Sequence, residues 1–345
     1  MHIFEIMNQY LYIDMLQNGY IRENSHPTLG LRIINYTEKA QYENEWNEVT
    51  RQCRGLIVDP QGHIVARPFD KFLNYGQDEA DKLLMDQQVI ATDKMDGSLG
   101  ILWQYGDEIG ISTRGSFISD QAVFATRLLH DKYTIDFDPM WTYMFEIIYP
   151  ENRIVLDYGD MQDLVLLGAR HIKSGFVRLP ESLSSWKGPK TKTFPYKTLR
   201  EALSAPQRHN AEGLVVYFPG LDYRIKIKQD DYIALHKIVT GLTERRVWEN
   251  MKEGKTFEEL CEIVPDEWHK WLWETYDSLD AAFNLQENKI SLAYSAIKWS
   301  LPEDFTRKEF AIKAVKTEYP GFMFDMLDGK DTSDKIWDLI RPSAE

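Results

Sequence analysis

The sequence predicts an α+β body with antiparallel sheets flanked by helices, followed by an all-α C-terminal module. Over the first two-thirds of the 345 residues, short apolar runs alternate with turn residues, which is typical of strands. From about Asp230 onward, apolar residues instead recur every three to four positions, which is the spacing of amphipathic helices. We therefore place a domain boundary near Leu242 and expect domains at 1–242 and 243–345.

The strands of the body are predicted from period-two runs bounded by Gly, Pro and Asp. In chain order they are 54–59 with 63–67, 99–105 with 109–113, 142–149, 163–167, and 213–218 with 223–228. Residues 121–129 have helical spacing of Ala, Phe and Leu. Residues 174–206 are rich in Ser, Pro and Lys, and we expect a loop with one short helix there.

Five segments from about Asp230 onward are predicted to be helices. Thr256-Phe-Glu-Glu259 fits a capping box that opens a helix. An apolar stripe follows at Trp268, Trp271, Leu272, Tyr276 and Leu279. Residues 231–239, 305–315 and 334–340 show similar spacing, so we expect helices there as well.

Composition places the chain among soluble globular proteins, with 43% hydrophobic and 27% charged residues. No apolar run approaches the ~20 residues of a membrane span. The start, Met1 to Met7, lacks a basic region before an apolar one, so we expect no export signal. Two cysteines, Cys53 and Cys261, provide neither a disulfide framework nor a CxxC metal motif. A reducing, cytoplasmic location is expected, in the host cytoplasm if a phage encodes the protein.

The net charge of −14 argues against a protein that simply coats nucleic acid. The charge is unevenly distributed, however. Residues 251–345 hold 12 Lys/Arg and 20 Asp/Glu, whereas the first 250 hold 28 and 34. The body is therefore close to balanced and has room for a basic groove.

The strongest local motif is Lys94-Met-Asp-Gly-Ser98, between the apolar residues 89–91 and a predicted strand. The string alone also fits a surface turn, because Asp-Gly is a common hairpin connection. In the functional interpretation Lys94 is a nucleophile. Its amine must then lose a proton, so its pKa must fall through burial or nearby cations.

Cations and acids for such a site occur later in the chain. In residues 223–228, strand periodicity places Arg224, Lys226 and Lys228 on one face. That face could bind phosphate, or the segment could be an amphipathic edge strand. Glu146 interrupts an apolar strand, where an unpartnered acid is costly, and Glu212 precedes another strand, where a carboxylate could hold a metal. Arg54 and Lys71 are candidate phosphate contacts, although each alone could be a surface charge.

The order of these segments resembles the covalent nucleotidyltransferase superfamily of ligases and capping enzymes. In detail it resembles the RNA ligase 1 family of T-even bacteriophages, from about Leu31 to His236. The strings that carry the resemblance are Cys53-Arg-Gly55, Lys71-Phe-Leu-Asn-Tyr75, Lys94-Met-Asp-Gly-Ser98, Ser112-Thr-Arg-Gly-Ser116, Phe145-Glu146, Pro150-Glu-Asn-Arg-Ile-Val155, Glu212-Gly-Leu-Val215, Lys226-Ile-Lys228 and Asp231-Tyr-Ile-Ala-Leu-His236.

The resemblance implies a nucleotidyltransferase (ATP-grasp-like ligase) domain and an ATP-dependent RNA ligase. Lys94 would carry AMP, with Lys226, Lys228 and Arg54 as further catalytic residues. The implied ATP-binding residues are Tyr36, Arg54, Lys71, Lys94, Arg114, Glu146, Glu212, Lys226 and Lys228. The implied ligands of Mg²⁺, with Mn²⁺ as a substitute, are Asp96, Glu146 and Glu212. The sequence departs from the family at Arg114, where lysine is usual, which keeps the charge and changes its geometry.

The implied reaction joins an RNA 3′-hydroxyl to a 5′-phosphate in three transfers, through lysyl-AMP and an adenylylated RNA end. Single-stranded RNA or a broken tRNA loop is the expected substrate, in RNA or tRNA repair, and a monomer without membrane contact is favoured. The helical module would select the RNA. The alternatives are a DNA ligase, an mRNA-capping guanylyltransferase, or a non-catalytic RNA-binding protein on a ligase fold.

Overall fold

The computed structural model describes residues 1–134, 136–233, 242–264 and 268–342. The chain divides into two compact units, Met1–Val239 and Thr240–Glu345. Each unit has its own core.

Three sheets make up the first unit. The first sheet has the order β1-β2-β3-β4, all antiparallel, with β1 at Ile21–Ser25, β2 at Arg32–Tyr36, β3 at Arg54–Val58 and β4 at Ile64–Ala66. The second has the order β11-β10-β9-β7-β8, with β7 at Ser98–Tyr105, β8 at Glu108–Ser112, β9 at Trp141–Ile148, β10 at Asp163–His171 and β11 at Val177–Arg178.

The third sheet contains the strand that ends at Lys94. Its order is β12-β6-β13-β14-β5, with β5 at Leu73–Asn74, β6 at Ile90–Lys94, β12 at Thr193–Phe194, β13 at Gly213–Phe218 and β14 at Tyr223–Lys228. All its pairs are antiparallel except β14 with β5. The two strands that most concern function, β6 and β14, therefore flank β13.

Helices of the first unit cover these sheets. They are α1 at Gln9–Gln17, α2 at Glu38–Tyr42, α3 at Glu48–Gln52, α4 at Asp120–Lys132 and α5 at Leu199–Leu203, with 3-10 turns at Ile3–Glu5, Glu79–Leu84, Pro150–Asn152 and Pro180–Ser182. Ser119 caps α4 by accepting a hydrogen bond from the Ala122 N–H. Ala125 and Leu129 of α4 pack on the second sheet, where Phe145 is fully buried. Leu199 of α5 packs on the third sheet.

The second unit consists of helices in its described part. They are α6 at Glu244–Lys252, α7 at Phe257–Ile263, α8 at His269–Trp299, α9 at Arg307–Ala314, α10 at Pro320–Leu327 and α11 at Ser333–Leu339. The long helix α8 contributes Ile290 and Ile297 to a core with Phe310, Met323 and Ile336. Within the described ranges, no helix combines the length and apolar character required to span a bilayer.

The predicted fold class, a mixed body with antiparallel sheets and a helical C-terminal region, is confirmed. The eight predicted strands and the 121–129 helix all occur, with ends that agree with the prediction or differ from it by one to four residues. The capping box at Thr256 forms as predicted. Most of the predicted 231–239 helix lies outside the described residues. The periodicity did not reveal α10, which is apolar on most sides and begins at Pro320.

Candidate active site

Lys94 is held at the end of β6 against a carboxylate of the neighbouring strand. In the antiparallel ladder Gly213 of β13 lies opposite Lys94, so the preceding Glu212 is beside the lysine side chain. Lys94 Nζ is 2.6 Å from Glu212 Oε1. A Cβ on Gly213, whose φ is +153°, would come within 1.9 Å of the Ile227 carbonyl oxygen. Glycine is therefore required there, and it lets Glu212 enter the site.

A second lysine reaches the same carboxylate. The register pairs Gly213 with Lys228 of β14, and Lys228 Nζ is 3.1 Å from Glu212 Oε1. Lys226, two residues earlier, projects from the same face of β14. Ile225 and Ile227 belong to the hydrophobic cluster on the opposite face. The structure thus confirms the two faces predicted for this strand.

Two acids lie next to the lysines, the buried Glu212 and the half-buried Glu146. The Glu212 side chain is only 2% exposed, and its Oε2 has no hydrogen-bond partner among the described residues. Glu146, on β9 of the second sheet, accepts a hydrogen bond from the Gly97 N–H at 2.9 Å. Burial raises the pKa of the Glu146 carboxyl to about 7, although the Lys94 ammonium acts to lower it. Glu212 offers an unpaired carboxylate oxygen, and Glu146 offers a carboxyl whose pKa lies near neutral pH. Together they are suited to bind a cation or sugar hydroxyls.

Asp96 holds the loop between β6 and β7. Its Oδ2 accepts hydrogen bonds from the backbone N–H groups of Val155 and Leu156, at 2.9 and 2.7 Å. Its Oδ1 accepts one from the Tyr232 hydroxyl at 2.8 Å. The Asp96 N–H donates to the Tyr158 hydroxyl. These bonds give the carboxylate a structural task, and its predicted role as a metal ligand stays a prediction.

A second group of predicted residues forms a cluster of cations and aromatic rings. Lys71 is 6% exposed, and its Nζ donates hydrogen bonds to Tyr36 Oη at 3.2 Å and to Gln41 Oε1 at 3.0 Å. The ammonium also lies 5.0 Å from the centre of the Trp46 ring. Arg114 donates a hydrogen bond to the same Tyr36 hydroxyl. Two cations therefore converge on one phenol, which is a suitable arrangement for phosphate oxygens.

The strand β5 connects this cluster to the lysine strand. Asn74 of β5 pairs with Lys226, and the Tyr75 N–H donates to the Lys226 carbonyl. Arg54 begins β3, donates to the Phe69 carbonyl at 3.4 Å and stacks 5.1 Å from the Phe72 ring. Lys71, just before the edge strand β5, and Lys226, on the neighbouring strand β14, therefore lie near the same edge of the third sheet.

Arg224 is a correction to the predicted phosphate face. It shares the face of Lys226, but its guanidinium lies 3.9 Å from the Phe69 ring centre and 4.0 Å from that of Tyr217. Burial lowers its pKa to about 10, and Asp222 is 3.6 Å away. Packing between two rings therefore makes Arg224 a structural residue.

Four further residues of the site were not singled out from the sequence. Gln41 and Trp46 surround Lys71, and Tyr158 and Tyr232 surround Asp96. Only Tyr232 lies in a string that carries the family resemblance. The other three reach the site through tertiary folding.

A family model described as RNA ligase matches residues 52–232, more than half of the chain. The chain belongs to this family, the T4-type RNA ligase 1 family, and the predicted resemblance is confirmed.

Three curated relatives share parts of the chain. A putative bifunctional polynucleotide kinase/RNA ligase of Autographa californica nuclear polyhedrosis virus is 29% identical, over 65% of this chain and 37% of that protein. An RNA ligase of Rhodothermus phage RM378 is 21% identical, over 81% of each. RNA ligase 1 of bacteriophage TS2126 is 27% identical, over 38% of this chain and 37% of that protein. The match thus spans little more than a third of the baculovirus and TS2126 proteins.

Solved structures match the chain at low identity and with TM-scores below 0.5. An archaeal ATP-dependent RNA ligase has a TM-score of 0.47 and 14% identity, covering 72% of this chain and 65% of that chain. A putative ATP-dependent DNA ligase from Aquifex aeolicus has a TM-score of 0.44 and 13% identity, covering 93% and 99%. A mutant Naegleria gruberi RNA ligase with ATP and Mn has a TM-score of 0.34 and 17% identity, covering 48% and 57%.

Proposed function

We propose that this protein is an ATP-dependent RNA ligase that joins 3′-hydroxyl and 5′-phosphate ends through an AMP covalently bound to Lys94. The observation that carries the proposal is the Lys94–Glu212–Lys228 network, in a chain of the RNA ligase family. It combines a nucleophile, a buried acid and a phosphate-binding cation at adjacent strand ends.

The chemistry proceeds through three in-line transfers. The neutral amine of Lys94 attacks the α-phosphorus of ATP, a P–N bond forms, and pyrophosphate leaves. An oxygen of the RNA 5′-phosphate then attacks that phosphorus, and the lysine amine departs. Finally the 3′-hydroxyl attacks the 5′-phosphorus of the adenylylated RNA, and AMP leaves. Each step places negative charge on one phosphoryl group, which Lys226 and Lys228 are positioned to neutralise.

The cation and aromatic cluster supports a second phosphate position. Lys71 and Arg114 converge on Tyr36, and β5 links this region to Lys226. We assign to this cluster, with Arg54, the leaving pyrophosphate in the first step and the RNA 5′-phosphate later. Gln41 and Trp46 would position the Lys71 ammonium for that contact.

The residues present fit a divalent metal, with Mg²⁺ as the natural ion and Mn²⁺ as a substitute. The unpaired Glu212 Oε2 and the Glu146 carboxylate are hard oxygen donors of the type that Mg²⁺ prefers. Among the described residues no three His, Cys, Asp or Glu side chains form a ready-made metal site. Phosphate oxygens and waters would thus complete the shell. The bound ion would supply charge neutralisation at the reacting phosphate.

Labelling with α-labelled ATP tests the nucleophile. Wild-type protein should become labelled, whereas Lys94→Ala and Lys94→Arg should not, because arginine keeps the charge but does not deprotonate to attack. The label should be stable to base and released by acid, as a phosphoramide is. A labelled Lys94→Arg protein would contradict the assignment, and a preference for GTP would indicate a capping guanylyltransferase instead.

A substrate panel tests the RNA ligase assignment. Single-stranded RNA and a broken anticodon stem-loop should be sealed, because we propose RNA or tRNA repair as the biological role, with the helical unit selecting the RNA. Nicked duplex DNA should be sealed poorly. Preferential sealing of nicked DNA would favour the DNA ligase alternative.

A further inference from the structure

The segment that carries Glu212 into the site has no regular secondary structure. Residues 204–212 connect α5 to β13, and Glu212 is the last of them. The Glu212 side chain is 2% exposed, and its Oε2 has no hydrogen-bond partner among the described residues. A buried carboxylate in this state gains free energy by moving toward water. The segment therefore has to be held in place by contacts from other parts of the chain.

Gln229 supplies such contacts from the end of β14. Its Oε1 accepts a hydrogen bond from the Arg208 N–H at 2.8 Å, and its Nε2 donates to the carbonyls of Arg208 and Ala211 at 2.9 and 2.8 Å. Its backbone N–H donates to the Glu212 carbonyl at 2.9 Å. One residue that is only 9% exposed thus binds the segment at three positions, the last of which is Glu212 itself.

The Arg208 side chain adds a link between the two strands that meet in the site. Its Nη2 donates to Asp93 Oδ1 at 2.9 Å and to the Gly213 carbonyl at 2.7 Å. Asp93 directly precedes Lys94 on β6, and Gly213 directly follows Glu212. One guanidinium therefore joins the residue before the nucleophile to the residue after the acid.

Neither side chain lies where the substrate would bind. Neighbouring residues of a strand project to opposite faces, so Asp93 and the Arg208 guanidinium bound to it lie on the face opposite Lys94. On that face the guanidinium stacks 4.5 Å from the centre of the Phe194 ring. The Gln229 amide is occupied by backbone groups of residues 208–211. Both residues therefore act on the reaction through Glu212 and the strands beside it.

We propose that Gln229, assisted by Arg208, is a positioning residue for lysyl-AMP formation. It fixes Glu212 so that one carboxylate oxygen contacts both Lys94 and Lys228. This inference rests on the proposed ligase function. A misplacement of about 1 Å at a reacting centre can slow an enzyme about a hundredfold. Loss of the Gln229 contacts should therefore slow the chemical step itself.

Single-turnover labelling by ATP tests this role in the full chain. Gln229→Met keeps the approximate volume of the side chain and removes the three hydrogen bonds of the amide. Its labelling rate constant should fall about tenfold or more, whereas loss of a purely stabilising contact would change only the labelled fraction. Gln229→Glu should also be slow, because a carboxylate has no N–H to donate to the two carbonyls. This second variant decides the question if Gln229→Met does not fold.

Two comparisons assign the effect to Glu212. Gln104→Met changes a half-buried glutamine at the far end of β7 and should be labelled at the wild-type rate. The second comparison uses a Glu212→Ala background, followed over hours. Adding Gln229→Met there should slow labelling less than about twofold further, because two residues that act through one contact have non-additive effects.

The outcomes separate this inference from the proposed function. A wild-type protein that takes no label from ATP contradicts the function itself. If the wild-type protein is labelled, a wild-type rate constant with only a smaller labelled fraction in the Gln229 variants overturns the positioning role. An equal slowing in Gln104→Met, or the full further slowing in the Glu212→Ala background, overturns it as well.

Discussion

At the scale of single residues, the site places charged side chains in positions that are largely shielded from solvent. Glu212 is 2% exposed and accepts contacts from both Lys94 and Lys228, so one acid partly balances two cations. Within the part of the chain that the structure describes, Glu146 accepts one hydrogen bond, from the Gly97 N–H, and burial raises the pKa of its carboxyl. A folded protein retains a costly group of this kind where a ligand later compensates for it.

The Glu146 carboxyl predicts a pH-dependent stability. Its folded pKa of about 7 exceeds the ordinary value of 4.5, so the folded state binds more protons between these values. Its contribution to the free energy of unfolding therefore falls as pH rises from about 4.5 to about 7 and stays low above that. Glu146→Gln removes this penalty. Between about pH 5 and about pH 8, the variant should gain about 2 kcal/mol relative to wild type.

Urea unfolding of both proteins at the two pH values measures this difference. Glu151→Gln, which changes an exposed acid nearby, should show no such change. A gain for Glu146→Gln that is the same at both pH values would mean that the carboxyl does not titrate near neutrality.

At the scale of elements, β14 separates chemistry from stability. Its Lys226 and Lys228 project about 7 Å apart on the face of Lys94, whereas the half-buried Ile227 packs against the hydrophobic cluster on the other face. Because β6, β13 and β14 are in register at Gly213, a shift of one residue would move both lysines to the wrong face.

The two faces of β14 predict different losses on substitution. Lys226→Ala and Lys228→Ala should each slow lysyl-AMP formation about a hundredfold or more, since each removes a charge-assisted contact to the reacting phosphate. Ile227→Ala should lower stability by about 2 kcal/mol and leave the rate of the folded fraction nearly unchanged.

Single-turnover labelling and melting curves of the three variants distinguish these effects. Near-normal rates in both lysine variants, with lost chemistry in a stable Ile227→Ala, would mean that the phosphate site lies elsewhere.

At the scale of the whole molecule, the two units differ in charge and in architecture. The segment that the family model matches and the residues of the candidate site all lie in the first unit. The helical part from residue 251 carries eight more acids than bases, which disfavours tight contact with a phosphate backbone along most of its surface.

Truncation tests this division of tasks. A chain that ends near Thr243 should fold and form lysyl-AMP at close to the wild-type rate, because its core and site residues remain. It should still seal RNA, but its preference among RNA substrates should differ from that of the full chain. Circular dichroism verifies folding, and labelling by ATP measures the rate. A truncated chain that folds but takes no label would show that the first step needs the helical unit.

The sequence by itself determined the class of the fold, the order of the motifs, and the two faces of β14. These depend on local periodicity and on short strings such as that at Lys94, which neighbouring residues specify. Only the tertiary structure decided that Glu212 bridges Lys94 and Lys228, that Asp96 accepts bonds from a distant loop, and that Arg224 is enclosed by two rings. The physical reason is that these contacts depend on register and packing between strands far apart in the chain, where residue type alone does not specify the partner.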